Sequence, residues 1–313
     1  MPVNAFGNSP YSIGNFRPSD FDKYILLLAE AEKLEPTGRC ASPLVVANQL
    51  ARPNYFPEQD LFILWSDDIV GYIDVKPELG IGRAVLDCWI APEHRRKGLT
   101  KRLLGYATDR ARQLGAEVLH ANIKEDNTVA TKALHALGFS LIRRYLELGL
   151  DMAHVGGLDK AELDPDCRYL QPGEEAKLTK LQNCAFAGSW GYNPNTVEEI
   201  TFHINSDAFS RDDIILIYRK HKPIGYCWTG TGCEHGKPST RKGRILMLGV
   251  VPDYRCKGIG KKLVVAGLAR LRRKSLQVAE LTVDSENKAA CALYRSIGFD
   301  VQANTLWYEK VIN

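Results

Sequence analysis

The chain has 313 residues, 45% of them hydrophobic and 25% charged, with a net charge of +4. These are the proportions of a globular protein long enough for two domains, and so small a positive excess argues against sequence-independent binding to nucleic acid. No apolar run approaches the roughly 20 residues that cross a bilayer, and Met1-Pro2-Val3-Asn4 carries neither the charged nor the apolar block of a signal peptide. The eight cysteines (Cys40, Cys88, Cys167, Cys184, Cys227, Cys233, Cys256 and Cys291) form no C-x-x-C pair and no zinc-like spacing with histidine. A reduced, cytoplasmic protein without a metal site is therefore expected.

In chain order, residues 11–16 read as a strand and 20–32 as a helix with Ser19 as its N-cap. Residues 61–65 and 70–75 are short β-branched and aromatic runs, a strand pair, followed by a loop at 76–82. The longer apolar run 84–90, stopped by Ala91-Pro92, reads as a strand buried on both faces. A helix at 98–114, a strand at 118–123 and a helix at 127–137 follow, and a strand at 139–148 closes the unit. Residues 151–166, rich in glycine and acids, read as a linker between domains 1–150 and 167–313.

The second domain repeats this order. Strand 168–170 and helix 173–186 come first, then strands 213–219 and 223–229 around the turn Lys220-His221-Lys222. Residues 229–243 lack apolar periodicity and read as a long loop, a kind of segment that is often functional. Strand 244–251, helix 258–274, strand 278–283, helix 287–297 with Gly298 as its C-cap, and strand 299–310 complete the chain.

Two glycine-bearing turns organise the halves. Arg95-Arg96-Lys97-Gly98-Leu99-Thr100 and Arg255-Cys256-Lys257-Gly258-Ile259-Gly260 stand 160 residues apart (258 − 98), and the same shift relates Asn127 to Asn287 and Phe139 to Phe299. A strand feeding such a turn into a helix N-terminus makes an anion site, because successive N–H groups and the helix dipole face the ligand. Arg255, Lys257 and Lys261 add cationic donors. The Gly-Lys-Ser/Thr ending of a P-loop is missing, and the antiparallel strand pairs that come first argue against a dinucleotide-binding β-α-β unit.

The run from Val251 to Gly260, followed by Asn287-Lys288-Ala289-Ala290-Cys291-Ala292-Leu293-Tyr294-Arg295-Ser296-Ile297-Gly298-Phe299, combines R-x-x-G-x-G with N-x-x-A-x-x-L-Y-x-x-x-G-F. In these motifs, and across both halves, the chain resembles the GCN5-related N-acetyltransferases (GNAT). The resemblance implies an α/β (α+β) fold of two tandem GNAT domains, each a mixed, mostly antiparallel sheet flanked by helices. It also implies acetyl-coenzyme A as acyl donor. The pyrophosphate would lie on Arg255, Cys256, Lys257, Gly258, Ile259, Gly260 and Lys261. The pantetheine arm would run along Leu248, Gly249, Val250 and Val251, near Asn287 and Ala290, in a gap beside the strand that starts at Val278. Backbone N–H groups near 248–250 would stabilise the oxyanion.

Tyr294 matches the family's general acid, and a phenol near pKa 10 is suited to protonating a thiolate near 8.5; the plainer alternative is a packing tyrosine. Asn287 is either a ligand of the cofactor arm or a helix cap. Leu134 stands opposite Tyr294, and Thr100 opposite Gly260, so the first half is expected to be degenerate. Its candidate second cofactor site comprises Ile90, Arg95, Arg96, Lys97, Gly98, Leu99, Thr100 and Asn127. Asp87 is either a strand-end polar group or a catalytic carboxylate.

Relatives in the family place a glutamate base eleven residues before the first motif residue, where this chain has Arg244 and, in the first half, Ala84. Glu234 and His235 are candidate replacements, with a solvated loop or a water chain as the alternatives. Trp190, Tyr192, Tyr226, Trp228 and Trp307 either wall the acceptor side or pack the core. The basic run 270–274 reads as a solvated helix end, a 3′-phosphate contact being the alternative. The expected acceptor is a small-molecule primary amine, in a monomer or homodimer with no nucleic-acid, membrane or metal partner. A protein N-acetyltransferase and a non-catalytic coenzyme A sensor are the rival readings.

Overall fold

The computed structural model describes residues 9–158, 163–206, 210–234 and 236–312, and the candidate base His235 lies outside the described residues. The first half runs β1 (Ser12–Asn15), α1 (Phe21–Leu34), α2 (Pro43–Leu50), α3 (Pro57–Asp60), β2 (Leu61–Trp65), β3 (Ile69–Glu78), β4 (Arg83–Ile90), α4 (Leu99–Gln113), β5 (Val118–Lys124), α5 (Thr128–Ala136) and β6 (Ser140–Asp151). The second runs β7 (Cys167–Tyr169), α6 (Glu175–Phe186), α7 (Val197–Asn205), β8 (Ile214–Arg219), β9 (Lys222–Glu234), β10 (Lys237–Val250), α8 (Ile259–Arg273), β11 (Val278–Asp284), α9 (Lys288–Ile297) and β12 (Asp300–Val311).

These strands join one sheet in the order β1-β2-β3-β4-β5-β12-β6-β11-β10-β9-β8-β7. Among the described residues only β4–β5 and β10–β11 are parallel pairs. At the centre the halves exchange strands. β6 does not pair with β5; it runs antiparallel between β12 and β11, while β12 runs between β5 and β6. The strand expected at 139–148 to close its own unit therefore completes the second half. Period-2 patterning specifies which face of a strand is buried but not which neighbour it pairs with. The connecting segment is anchored too, with Met152 and Leu158 buried in the second half's core.

On one side of the sheet, α4 buries Leu99, Leu103, Leu104, Ala107 and Ala111, and α8 buries Ile259, Leu263, Val264, Leu268 and Leu271 at helical spacing. Both helices are fastened near their C-termini by buried carboxylates. Asp60 accepts from Arg110 Nε at 2.7 Å, and Asp213 accepts from Arg270 Nε at 2.9 Å and Lys274 Nζ at 2.6 Å. The basic run 270–274 is thus not a solvated face, since Arg273 also donates to the Tyr169 hydroxyl at 2.8 Å.

Two local expectations are corrected. Ser19 lies inside a short 3-10 turn, Pro18–Asp20, and Asp20 takes the N-cap of α1. Residues 229–243 are not a loop but the outer part of the β9–β10 hairpin. Glycines at 230, 232 and 236 hide the alternation there, and the tip is held from the other half, where Ala41 N–H donates to Gly236 O at 2.8 Å. Threonine and cysteine suit a pleated surface once such neighbours are supplied.

Candidate active site

The two parallel strand pairs part, and they part differently. β10 and β11 are paired at Lys242↔Val278, Gly243↔Ala279 and Arg244↔Glu280, and separate beyond. β4 and β5 remain paired one residue further, from Arg83↔Val118 to Leu86↔Ala121. The cause is a bulge: the β10–β9 register slips between Ile245 and Met247, leaving Leu246 as an extra, 39% exposed residue, whereas β4 pairs β3 without a slip. A bulge leaves one residue unpaired and bends its strand. It also changes the repeat. Lys242 stands where Arg83 does, an offset of 159 (242 − 83), while the glycine turns remain 160 apart. The counterpart of Arg244 is therefore Val85, not Ala84.

Beyond the bulge, Val251 N–H donates to Ile224 O at 2.9 Å. Alternation along the strand then turns the N–H groups of Val250 and Leu248 toward the gap. Gly249 serves packing instead, because a Cβ there would lie 2.6 Å from Tyr226 and 2.9 Å from Ala185.

The strand leads into a turn with left-handed residues at Cys256 (φ 57°) and Gly258 (φ 78°), matched by Arg96 (61°) and Gly98 (72°) in the first half. Such alternation makes successive N–H groups converge in an anion-binding concavity. A Cβ on Gly258 would meet nothing within 4 Å, so glycine is needed there for its φ rather than for space. The first turn of α8 adds the N–H groups of Ile259, Gly260 and Lys261, which have no intrahelical acceptors.

The cationic side chains are partly committed elsewhere. Arg255 donates through Nε to Val250 O at 3.1 Å and through Nη2 to Ala185 O at 2.8 Å, bracing the turn against β10 and α6. Lys257 Nζ donates to Asp253 O at 2.8 Å, and Lys261 is exposed. In the first half Arg95 repeats the brace on Ile90 O at 2.7 Å, and Lys97 donates to the Tyr11 hydroxyl at 2.7 Å. Residues 255–261 thus offer a largely backbone cradle that fits a pyrophosphate.

Gly260 has no left-handed φ; a Cβ there would sit 3.1 Å from Leu293 of α9. In the first half Thr100 takes its place, and Ala133 stands 160 residues before Leu293. Close packing on Leu293 accounts for glycine at 260 without reference to the cofactor.

Tyr294 is buried on the face of α9 that packs against α8 and β11, one turn after Ala290, with Phe299 edge-on at 5.8 Å between ring centres. Burial, reinforced by the neighbouring Cys227 and Cys291 thiols, pushes its phenol above the usual value. Among the described residues its hydroxyl makes no hydrogen bond. Asn287 Oδ1 accepts from Ala290 N–H at 3.1 Å and Asn127 from Ala130 N–H at 3.0 Å, so both cap their helices. Leu134 packs into the first half's core.

Asp87 is sequestered. It accepts from Arg39, from the Tyr72 hydroxyl at 3.2 Å and from Lys76 at 3.4 Å. Burial opposes ionisation, but Arg39 and Lys76 outweigh it and hold the carboxyl well below the usual range. Glu234 ends β9, four residues beyond the Gly230 that faces Arg244, roughly 13 Å along the strand at ~3.3 Å per residue. Its carboxylate accepts from Ser239 and lies 3.6 Å from Lys242 Nζ. Glu234 and Tyr294 are not brought together.

The five aromatics do not form one wall. Trp190, on the loop after α6, stacks on His120 (5.8 Å) and meets Trp307 (5.8 Å) and Tyr145 (6.0 Å) at the seam between the halves. Arg83 donates to Gly191 O at 2.8 Å and fastens that loop. Tyr226 and Trp228 lie in the core beneath α6 and α7, and Tyr192 stacks on Phe186 at 5.1 Å. Glu280, on the last paired rung at the floor of the gap, and Lys242, 3.0 Å from it, carry no local sequence signal. The repeat itself held a signal, since Glu280 stands 160 residues after His120, another proton-carrying side chain.

Split parallel strands, a glycine-turn anion cradle and a buried tyrosine beside them define an acyl-coenzyme A transferase of the GNAT class. The acetyltransferase (GNAT) family matches residues 28–139 and 176–299, and the chain belongs to that family, with two GNAT domains. It is 30% identical to the mycothiol acetyltransferase of Paenarthrobacter aurescens over 251 residues, covering 78% of this chain and 75% of the relative. It is 26% identical to the mycothiol acetyltransferase of Streptomyces avermitilis, covering 96% and 95%. A GCN5-related N-acetyltransferase from Sphaerobacter thermophilus shares the fold with a TM-score of 0.73 at 19% identity, covering 97% of this chain and 96% of that one. The protein is thus an acetyltransferase of the GNAT, mycothiol-acetyltransferase-like type. Among the described residues no His, Cys, Asp or Glu cluster is arranged to hold a metal ion, and no helix is long and apolar enough to cross a membrane.

Proposed function

We propose that the second half is an N-acetyltransferase site that moves acetyl from acetyl-coenzyme A to a primary amine of a small molecule, in a ternary complex, and that the first half does not turn over. The carrying observation is the asymmetry of the gaps. The second half has the bulge at Leu246 and the buried Tyr294; the first has an unbulged β4, Leu134 in place of the tyrosine, and Asp87 closed off by Arg39. The similarity to mycothiol acetyltransferases supports a small-molecule acceptor.

Acetyl-coenzyme A supplies an acetyl group activated as a thioester. The chain's own groups do the rest. The turn at 255–261 holds phosphate through backbone N–H groups, and the gap-facing N–H groups of Leu248 and Val250 stabilise negative charge on the carbonyl oxygen. Tyr294, kept protonated by burial, holds the proton that the departing thiolate takes.

The test is loss of the thioester measured with amino sugars, simple amines and peptides, in the wild type and in Gly258→Val and Gly98→Val. A β-branched residue at φ 78° or 72° is strained. Turnover with small amines should vanish in Gly258→Val and survive in Gly98→Val. The opposite pattern, or turnover with peptides alone, overturns the proposal.

A further inference from the structure

The site as described has an acid and no base, because Arg244 occupies the familiar position and Glu234 lies well along the hairpin. We infer that Glu280 of β11 is the proton acceptor for the attacking amine, an assignment that rests on the function proposed above. Three observations carry it: its rung, its face and its access to solvent.

Glu280 occupies the last rung before β10 and β11 part, opposite Arg244, so its backbone forms the floor of the gap. Its side chain lies on the face away from α8 and α9. Ala279, Leu281 and Val283 point into the core that holds Tyr294, and the residues between them alternate to the other side. Proton acceptor and proton donor thus stand on opposite sides of the gap, as they must when an amine enters on one side of a carbonyl and a thiolate leaves on the other.

The neighbouring position in β6 is Gly149, paired directly with Glu280, and the space a side chain would take there is held by Gln302 of β12, whose Cγ lies 2.8 Å from where a Cβ would stand. Lys242 Nζ lies 3.0 Å from Glu280 and 3.6 Å from Glu234, and Arg244 stands opposite Glu280, so the two carboxylates are matched by two cations. Glu280, about one-third exposed, remains reachable from solvent.

The step balances. The ammonium gives one proton to the Glu280 carboxylate and attacks the thioester carbonyl with the freed lone pair. The C–N bond forms and the C–S bond breaks, sulfur leaving with the bonding pair and taking a proton from Tyr294. The amide nitrogen's remaining excess proton goes to solvent. Between turnovers neutralised Glu280 returns its proton to water and the Tyr294 phenolate takes one back, so one proton is released per acetyl group transferred.

The test compares wild type, Glu280→Gln and Glu234→Gln with two nucleophiles, glucosamine, an alkyl amine protonated at neutral pH, and hydroxylamine, which is largely unprotonated there. Acetyl-coenzyme A affinity is measured separately by calorimetry. Expected for Glu280→Gln is a fall of at least 100-fold in kcat/KM with glucosamine, loss of the acid limb of the pH–rate profile, less than a 10-fold fall with hydroxylamine, and unchanged acetyl-coenzyme A affinity. Retention of rate and acid limb in Glu280→Gln overturns the assignment, as does their loss in Glu234→Gln instead. Equal losses with both nucleophiles also overturn it, since they indicate damage rather than a missing base. A wild type that binds acetyl-coenzyme A but consumes it with neither nucleophile overturns the proposed function and this inference together.

Discussion

Replacing Tyr294 by Phe removes one oxygen from a buried site. The ring remains against Phe299, and among the described residues no hydrogen bond to the hydroxyl is lost. Stability should therefore change by less than about 1 kcal/mol. With an unfolding entropy of about 2.1 cal/mol/K per residue, a 313-residue chain loses ~0.66 kcal/mol per degree, so Tm should move by less than about 2 °C. Turnover should fall far more. A positioned general acid contributes typically 10²–10⁴-fold, or about 2.7–5.4 kcal/mol of barrier at 1.36 kcal/mol per tenfold. Because burial raises the phenol, it stays protonated across the assay range, and the wild-type rate should show no alkaline limb from this residue below about pH 10. The assay is initial thioester loss at saturating acetyl-coenzyme A and amine, with cofactor affinity from calorimetry. A folded Tyr294→Phe protein working within threefold of wild type would refute the acid role.

Three further outcomes are expected. Asp213→Ala leaves Arg270 and Lys274 without their buried carboxylate, and breaking such a pair costs about 3 kcal/mol at the lower end of the usual range, these cations being 17% and 28% exposed. Thermal unfolding should shift down by about 4–5 °C, and a shift below 1 °C contradicts the clamp. Deleting Leu246 should let β10 and β11 pair one rung further, as β4 and β5 do, so that acetyl transfer drops more than 10-fold while circular dichroism is unchanged; full activity in that protein would sever the bulge from function. Burial lowers the pKa of His120 despite its 2.9 Å contact with Glu309. Its unfolded form therefore binds a proton more readily, and stability should decline as pH falls below about 6.5. In urea titrations His120→Gln should flatten that decline, and an identical slope in the mutant argues against a buried neutral imidazole.

Much of the fold was legible from periodicity. The runs 84–90 and 244–251 ended at prolines and emerged as β4 and the gap-lining part of β10, while 98–114 and 258–274 emerged as α4 and α8. The turns at Gly98 and Gly258 were legible because positive φ and glycine go together. The 229–243 hairpin was not legible, since its order depends on Ala41 in the other half. Glu280 was overlooked for a related reason. Alternation assigns it a polar face, but only the parting of two strands brought together from positions 244 and 280 gives that face a chemical setting.

By itself, the sequence determined that two similar units follow one another, where each places its glycine turn, and that only the second carries Tyr294. Those features depend on residues within a few turns of one another, whose spacing is set by 3.6- and 2-residue periods. Tertiary structure alone decided that β6 and β12 cross into each other's half, making one sheet of two units. It alone decided that one extra residue, Leu246, opens the second gap a rung earlier than the first. Strand partners and bulges depend on hydrogen bonds between segments far apart in the chain, and a local pattern of side chains does not encode which of several compatible edges meet.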